Sequence, residues 1–301
     1  MTRIPHLAPP LHVPGPAGPW DQVREAMRRR GNAVVFTTWG EWLSAVVTEP
    51  RLRLLLGRDW PRYRRTTDPL VRHRFAAARL VLKYTAAAAL DTDPAELDLA
   101  YKINGRPHLR GLRQVDVGLS HTGELIVVGV GRGGRIGVDA EPLSRTLSLD
   151  VMGERMCTPA ERAFLGRLDS PTRTAAMLRL WTLKEAYTKA LGQGMRLAFH
   201  EFGFPPDGFA PDTEVGLPVS HEAGLLAPDG SPAARGTWAF GTYRVMERYL
   251  VTAARYDAVR RATTGTSGHT VADETSMSLV AQLLPPEMSA PAARHSRSAG
   301  T

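Results

Sequence analysis

Two short runs near the middle of the chain, ELIVVGV (124–130) and RIGVDAE (135–141), constrain its fold more than any other feature. Each is rich in β-branched residues and too short for a buried helix, so both read as strands. That commits the centre of the molecule to a sheet. The linker GRGG reads as a hairpin turn whose glycines supply positive φ. Gly129 to Gly134 also match G-x-G-x-x-G formally. A dinucleotide site needs a helix directly after its glycines, and here a strand follows, so that motif is set aside.

Strand-like runs recur at AVVFTTW (33–39), VDVGLSHTG (115–123), GTWAFGTYRV (236–245) and RYLVTAARY (248–256). Between them lie helices. Asp68 and Pro69 form an N-cap and first helical residue. Thr158 and Glu161 have the spacing of a capping box. AAMLRLWTLKEAYTKAL (175–191), ended by Gly192, has the strongest helical pattern. Helices beside short strands in both halves predict an α+β fold with two similar-sized lobes, 21–133 and 134–261. A Pro-rich arm (1–20) precedes them. A Ser/Thr/Ala/Pro-rich tail (262–301) follows and is expected to be mostly disordered, with SMSLVAQLL as a short helical candidate.

No apolar run approaches the ~20 residues of a membrane span. The first twenty residues lack the apolar core of a secretory signal. Cys157 is the one cysteine, which excludes a disulfide framework and any cysteine-rich zinc site. A cytoplasmic protein without membrane contact is expected. The net charge is +8, and ten Arg/Lys against Asp59 and Asp68 between Arg51 and Lys83 account for that excess. Such a run is either a set of solvated faces or a cationic surface for phosphates or an acidic protein.

Asp139 and Glu141 project from one face of their strand together with Gly137, while Ile136 and Val138 face the other way. Paired carboxylates beside a residue without a side chain suit a hard cation such as Mg²⁺; strand ends of this kind are also often merely hydrated. In the later helix, Leu183, Ala186, Tyr187 and Ala190 form one face. Trp181, Glu185 and Lys189 form another, about 40° apart from one to the next. A Glu–Lys pair at i,i+4 is a common surface pair. However, the chain has four lysines among 38 basic residues, and two of them are Lys184 and Lys189. A compact ammonium suits a phosphate or a proton transfer in ways that a guanidinium does not.

Together, IGVDAEPL and WTLKEAYTKALGQG resemble the two hallmark segments of the 4′-phosphopantetheinyl transferase superfamily, G-[VI]-D-x-E and [FW]-[STC]-x-K-E-[AS]-x-x-K. Every defined position is matched. RHRFAAARLVLK is similar to the family's first helix, NGRPHL to its N-G-K-P segment, and VGLSHTG to its F-N-L-S-H-S turn. Gly118 stands where the family has Asn, and Arg106 where it has Lys. The resemblance covers roughly residues 30–210 and points to the surfactin-type group, in which one chain mimics a dimer. It therefore implies two α/β lobes related by pseudo-twofold symmetry, each with a small, mostly antiparallel sheet on helices, in a monomer.

The resemblance further implies transfer of 4′-phosphopantetheine from coenzyme A to a serine of an apo acyl, polyketide or peptidyl carrier protein, releasing adenosine 3′,5′-bisphosphate. Asp139, Glu141 and Glu185 would hold Mg²⁺, with Mn²⁺ as a substitute. Glu185, or a metal-bound water beside it, would take the serine proton. Lys189 would stabilise charge on the leaving phosphate. Arg74, Arg106, Ser120 and His121 would bind coenzyme A, with Asp139, Lys184 and Lys189 also in contact. Glu161 sits where the family often has a site glutamate, although its capping role suffices. The carrier's acidic surface would meet part of the cationic run.

Two other readings stand beside this one. A non-catalytic relative would bind coenzyme A or a carrier without transfer. A nucleic-acid-binding protein would explain the pI of about 10.0, but leaves the carboxylates unexplained and shows no helix-turn-helix or RNP pattern. No nucleic-acid partner is expected.

Overall fold

A computed structural model describes residues 7, 9–193, 196–206, 225–227, 230, 232–234 and 238–257. The expected tail and its helical candidate lie outside the described residues. The first half of the chain runs β1 (Leu11–His12), α1 (Trp20–Arg30), β2 (Asn32–Thr38), α2 (Leu43–Thr48), α3 (Leu52–Leu56), α4 (Trp60–Arg65) and α5 (Pro69–Leu90). Next come β3 (Leu99–Tyr101), β4 (Pro107–Leu109), β5 (Val115–Thr122), β6 (Leu125–Arg132) and β7 (Gly134–Pro142). Then follow α6 (Leu149–Met156), α7 (Pro159–Gly166), α8 (Ser170–Leu191), β8 (Leu225–Leu226), β9 (Pro232–Ala234), β10 (Trp238–Val245) and β11 (Tyr249–Asp257).

Local chemistry starts the helices as the sequence predicts. Asp68 accepts from the N–H groups of Leu70 and Val71 with Pro69 in the first turn of α5. Thr158 and Glu161 close a full capping box on α7. Asp169 caps α8 through Thr172, so that helix begins five residues before the predicted start, and Gly192 ends it in the left-handed region at φ 74°.

One sheet has the order β1-β2-β6-β5 and another β10-β11-β7; two-stranded pairs β3-β4 and β8-β9 complete the set. All pairings are antiparallel except that of β1 with β2. The apolar residues sort into three clusters that stack the elements as helix, sheet, sheet, helix. Val35, Val117, Val128 and Val130 pack with α1 and α5. Val34, Val127, Val138, Ala140, Val251 and Ala253 fill the space between the sheets. Phe240 and Ala254 pack with α6, α7 and α8. The molecule is thus α+β, with small antiparallel sheets on helices. Among the described residues no helix is long and apolar enough to cross a membrane.

Within the Pro-rich arm, Leu11 and His12 extend the first sheet, while Leu7 and Val13 are buried. One sequence expectation changes here. The GRGG linker is not a hairpin, because β6 and β7 belong to different sheets. Of its glycines, Gly133 takes a positive φ of 67°. Gly129, inside β6, serves close packing instead: a Cβ there would lie 2.9 Å from Val138 and 3.0 Å from Ile136.

Candidate active site

The site forms where β7 lies along α8 beside the edge strand β5. Gly137, Asp139 and Glu141 turn toward α8, as the alternation predicts, and strand and helix run in opposite directions. Gly137 meets Ala186 and Ala190, Asp139 meets Lys189, and Glu141 meets Trp181. Gly137 is required by the approach itself, since a Cβ would lie 2.1 Å from the Ala186 carbonyl oxygen. This corrects the expectation that its bare backbone leaves room for a ligand. The space is filled by the helix.

Asp139 is buried. Its Oδ1 accepts from Lys189 Nζ at 2.5 Å and from Ser120 Oγ at 3.3 Å, and Lys189 Nζ also donates to Ser120 Oγ at 3.2 Å. Its Oδ2 is buried without a hydrogen-bond partner. Glu141 Oε1 accepts from Trp181 Nε1 at 3.0 Å and from the Arg145 guanidinium. That guanidinium lies 4.8 Å from the centre of the Trp181 ring. Glu185 is half-buried between these groups. Burial pushes its carboxyl above the usual range, Lys189 pulls it down, and the charges of Asp139 and Glu141 push it up again.

An orphaned buried carboxylate oxygen beside a carboxyl that its neighbours push toward protonation is a donor set suited to a hard divalent cation. Among the described residues no group of three or more His, Cys, Asp or Glu side chains is already placed to hold a metal ion. Lys189 and Arg145 provide the counter-charge in this structure.

On the β5 side the surface is cationic. The His121 pKa is lowered by the protein crowding its ring, then by Arg79, Lys189 and Arg74. Arg74 is exposed, with its guanidinium 5.4 Å from the Trp39 ring centre. Arg79 is fixed by Tyr101 at 3.1 Å and Asp59 at 3.4 Å. The sequence drew no attention to Arg79, one arginine in a run of many, nor to Arg145. The latter was findable as a cation four residues after a candidate ligand.

Two nominated coenzyme A contacts are committed elsewhere. Lys184 is fully enclosed on the far side of α8. Its ammonium donates to Glu161 Oε2 at 2.7 Å and to the carbonyls of Met156, Phe199 and Phe202 at 2.7–2.8 Å. With its three donors engaged and no access to solvent, it cannot reach a ligand. Glu161 is buried with it and also accepts from the N–H groups of Thr158 and Phe204, a structural role. Arg106 is buried as well. It donates to Asp116, to the Ile136 carbonyl at 2.9 Å and to the Ala190 carbonyl, tying β5, β7 and the end of α8 together. Its guanidinium is spent on the scaffold and not on a phosphate. Asp116, which the sequence left unremarked, completes that tie by accepting from Ile136 N–H at 2.8 Å.

A family model described as the 4′-phosphopantetheinyl transferase superfamily matches residues 135–215, the stretch that supplies β7 and α8. The 4′-phosphopantetheinyl transferase HetI of Nostoc sp. is 34% identical over 131 residues, 42% of this chain and 55% of its own length. The 4′-phosphopantetheinyl transferase of Bacillus subtilis is 28% identical over 152 residues, 50% of this chain and 65% of its own. A phosphopantetheinyl transferase of Thraustochytrium sp. is 32% identical over 194 residues, 58% of this chain and 64% of its own. The chain therefore spans somewhat over half the length of these relatives. The stretch that builds β7 and α8 is thus similar to the 4′-phosphopantetheinyl transferase superfamily.

Proposed function

We propose that the protein transfers 4′-phosphopantetheine from coenzyme A to a serine hydroxyl of an apo carrier protein, releasing adenosine 3′,5′-bisphosphate. One observation carries this reading. Asp139 pairs with Lys189 on the β7–α8 contact, and the charges of Asp139, Glu141 and Lys189 act on Glu185 there, within the region matched by the superfamily model. The exposed Arg74 guanidinium, with Arg79 behind it and the His121 ring beside them as a hydrogen-bonding group, suits the phosphates of coenzyme A. Asp139, Glu141 and Glu185 would hold Mg²⁺, which supplies charge neutralisation at a pyrophosphate.

The chain's own residues then divide the work. Glu185 would accept the serine proton. Lys189, held by Asp139 and Ser120, offers its ammonium to the leaving phosphate as charge develops there. The carrier would present an acidic surface to the Arg-rich run 51–83. We also read the halves 21–133 and 134–261, each with a 22-residue helix on its sheet, as the pseudo-twofold lobes of a surfactin-type, monomeric, cytoplasmic enzyme.

The test is the intact mass of apo acyl-, polyketide- and peptidyl-carrier proteins after incubation with the protein, coenzyme A and Mg²⁺. A phosphopantetheine mass gain, lost with EDTA and with Glu185→Ala, is expected and would rank the carriers. Folded protein that binds coenzyme A yet modifies no carrier would replace transfer by binding alone.

A further inference from the structure

The site's carboxylates have two cations within direct reach, Lys189 on Asp139 and Arg145 on Glu141. The transfer proposed above uses Lys189 and leaves Arg145 without a role. Arg145 stands four residues beyond Glu141, with a side chain 34% exposed against 12% for the glutamate. Its guanidinium donates to Glu141 Oε1, the same oxygen that accepts the Trp181 indole N–H. Both lone pairs of that oxygen are therefore taken. A divalent cation on these carboxylates and a guanidinium on Glu141 repel each other, so binding of one weakens the hold of the other.

We propose that Arg145 is an exchangeable counter-ion of the metal site: it neutralises Glu141 in the metal-free protein and gives Glu141 up when a divalent cation binds. The inference rests on the metal reading of the carboxylates given above. Three observations decide which partner moves. Glu141 is enclosed and anchored by Trp181, Arg145 is at the surface, and the Trp181 ring gives the guanidinium a second place to rest. Once released, Arg145 stays beside the site with its donors free for an incoming phosphate oxygen. Arg145 therefore lowers metal affinity in the free protein and restores it when a phosphate-bearing ligand takes the guanidinium. Metal and coenzyme A each strengthen the other's binding through it, reciprocally.

The test is titration of the full-length protein with Mn²⁺ alone, following free Mn²⁺ by electron paramagnetic resonance, with and without coenzyme A. Without coenzyme A, Arg145→Ala should bind Mn²⁺ about two- to fivefold more tightly than wild type, the range expected when a competing, partly exposed ion pair is removed. The strengthening of Mn²⁺ binding by coenzyme A should shrink in that variant. Arg145→Lys, which keeps the charge, should stay near wild type. Thermal unfolding of each variant shows whether the fold is intact. Unchanged or weaker Mn²⁺ binding by folded Arg145→Ala overturns the role of Arg145 and leaves the metal reading standing. Absence of Mn²⁺ binding in wild type, with coenzyme A present, overturns both.

Discussion

Lys184 and Lys189 stand five residues apart on α8, and their surroundings give them opposite tasks. Lys189 keeps a side chain 35% exposed at the site, whereas Lys184 is 0% exposed behind it. Removing one partner of a buried ion pair leaves the other charge uncompensated, at a cost of about 3–5 kcal/mol. Lys184→Met should lose stability on that scale in urea denaturation, and Glu161→Gln should lose a comparable amount. The double variant should lose clearly less than the sum, because neither charge is then stranded. Folded Lys184→Met should still bind coenzyme A like wild type. A large affinity loss without loss of stability would return Lys184 to the ligand. The sequence made Lys184 and Lys189 look alike because both are scarce residues in one motif. Separating them takes knowledge of what covers the back of α8, namely Met156, Phe199 and Phe202, which approach from other parts of the chain.

At the scale of the element, the contact of β7 with α8 depends on one missing side chain. Gly137→Ala would place a methyl 2.1 Å from a helix carbonyl and 2.5 Å from the Ala190 nitrogen, neither of which can turn aside. The strand and helix must separate, at a cost of about 1–3 kcal/mol as in other overpacked cores. Asp139 and Lys189 would part with them. Chemical denaturation and Mn²⁺ binding should therefore both weaken in this variant; stability within about 0.5 kcal/mol of wild type would mean that the contact is looser than described. Two helix starts were legible in the sequence because caps are local: Asp68 and Thr158 each act within three residues, whereas the Asp169 cap of α8 went unread. The alternation that turns Asp139 and Glu141 to one side was legible too. Strand partners were not legible. Nothing near β7 says that it pairs with β11 and not with β6, since that choice is made by the apolar faces of two sheets meeting.

At the scale of the molecule, the arm before α1 is a working part of both the sheet and its covering. Leu7 is buried between the sheets, Val13 is buried against Trp42, and the Trp42 indole donates to the Val13 carbonyl at 3.0 Å. Deleting residues 1–13 removes two buried apolar side chains and strands that indole, and should lower Tm by about 10 °C in a thermal melt. An unchanged Tm would reduce the arm to a passive edge. The composition of this segment, rich in proline, hid its role, because proline marks an edge strand as readily as a linker.

The pairing of β7 with β11 also has a meaning in time. Asp139 lies opposite Thr252, and Glu141 opposite Leu250. The strand that bears the carboxylates therefore waits on a partner synthesised more than a hundred residues later. A chain still emerging from the ribosome can build α5 and the sheet beneath it long before it can complete the β7 layer. A chain that stops before β11 carries every sequence motif and still lacks the strand that pairs with β7 along its whole length.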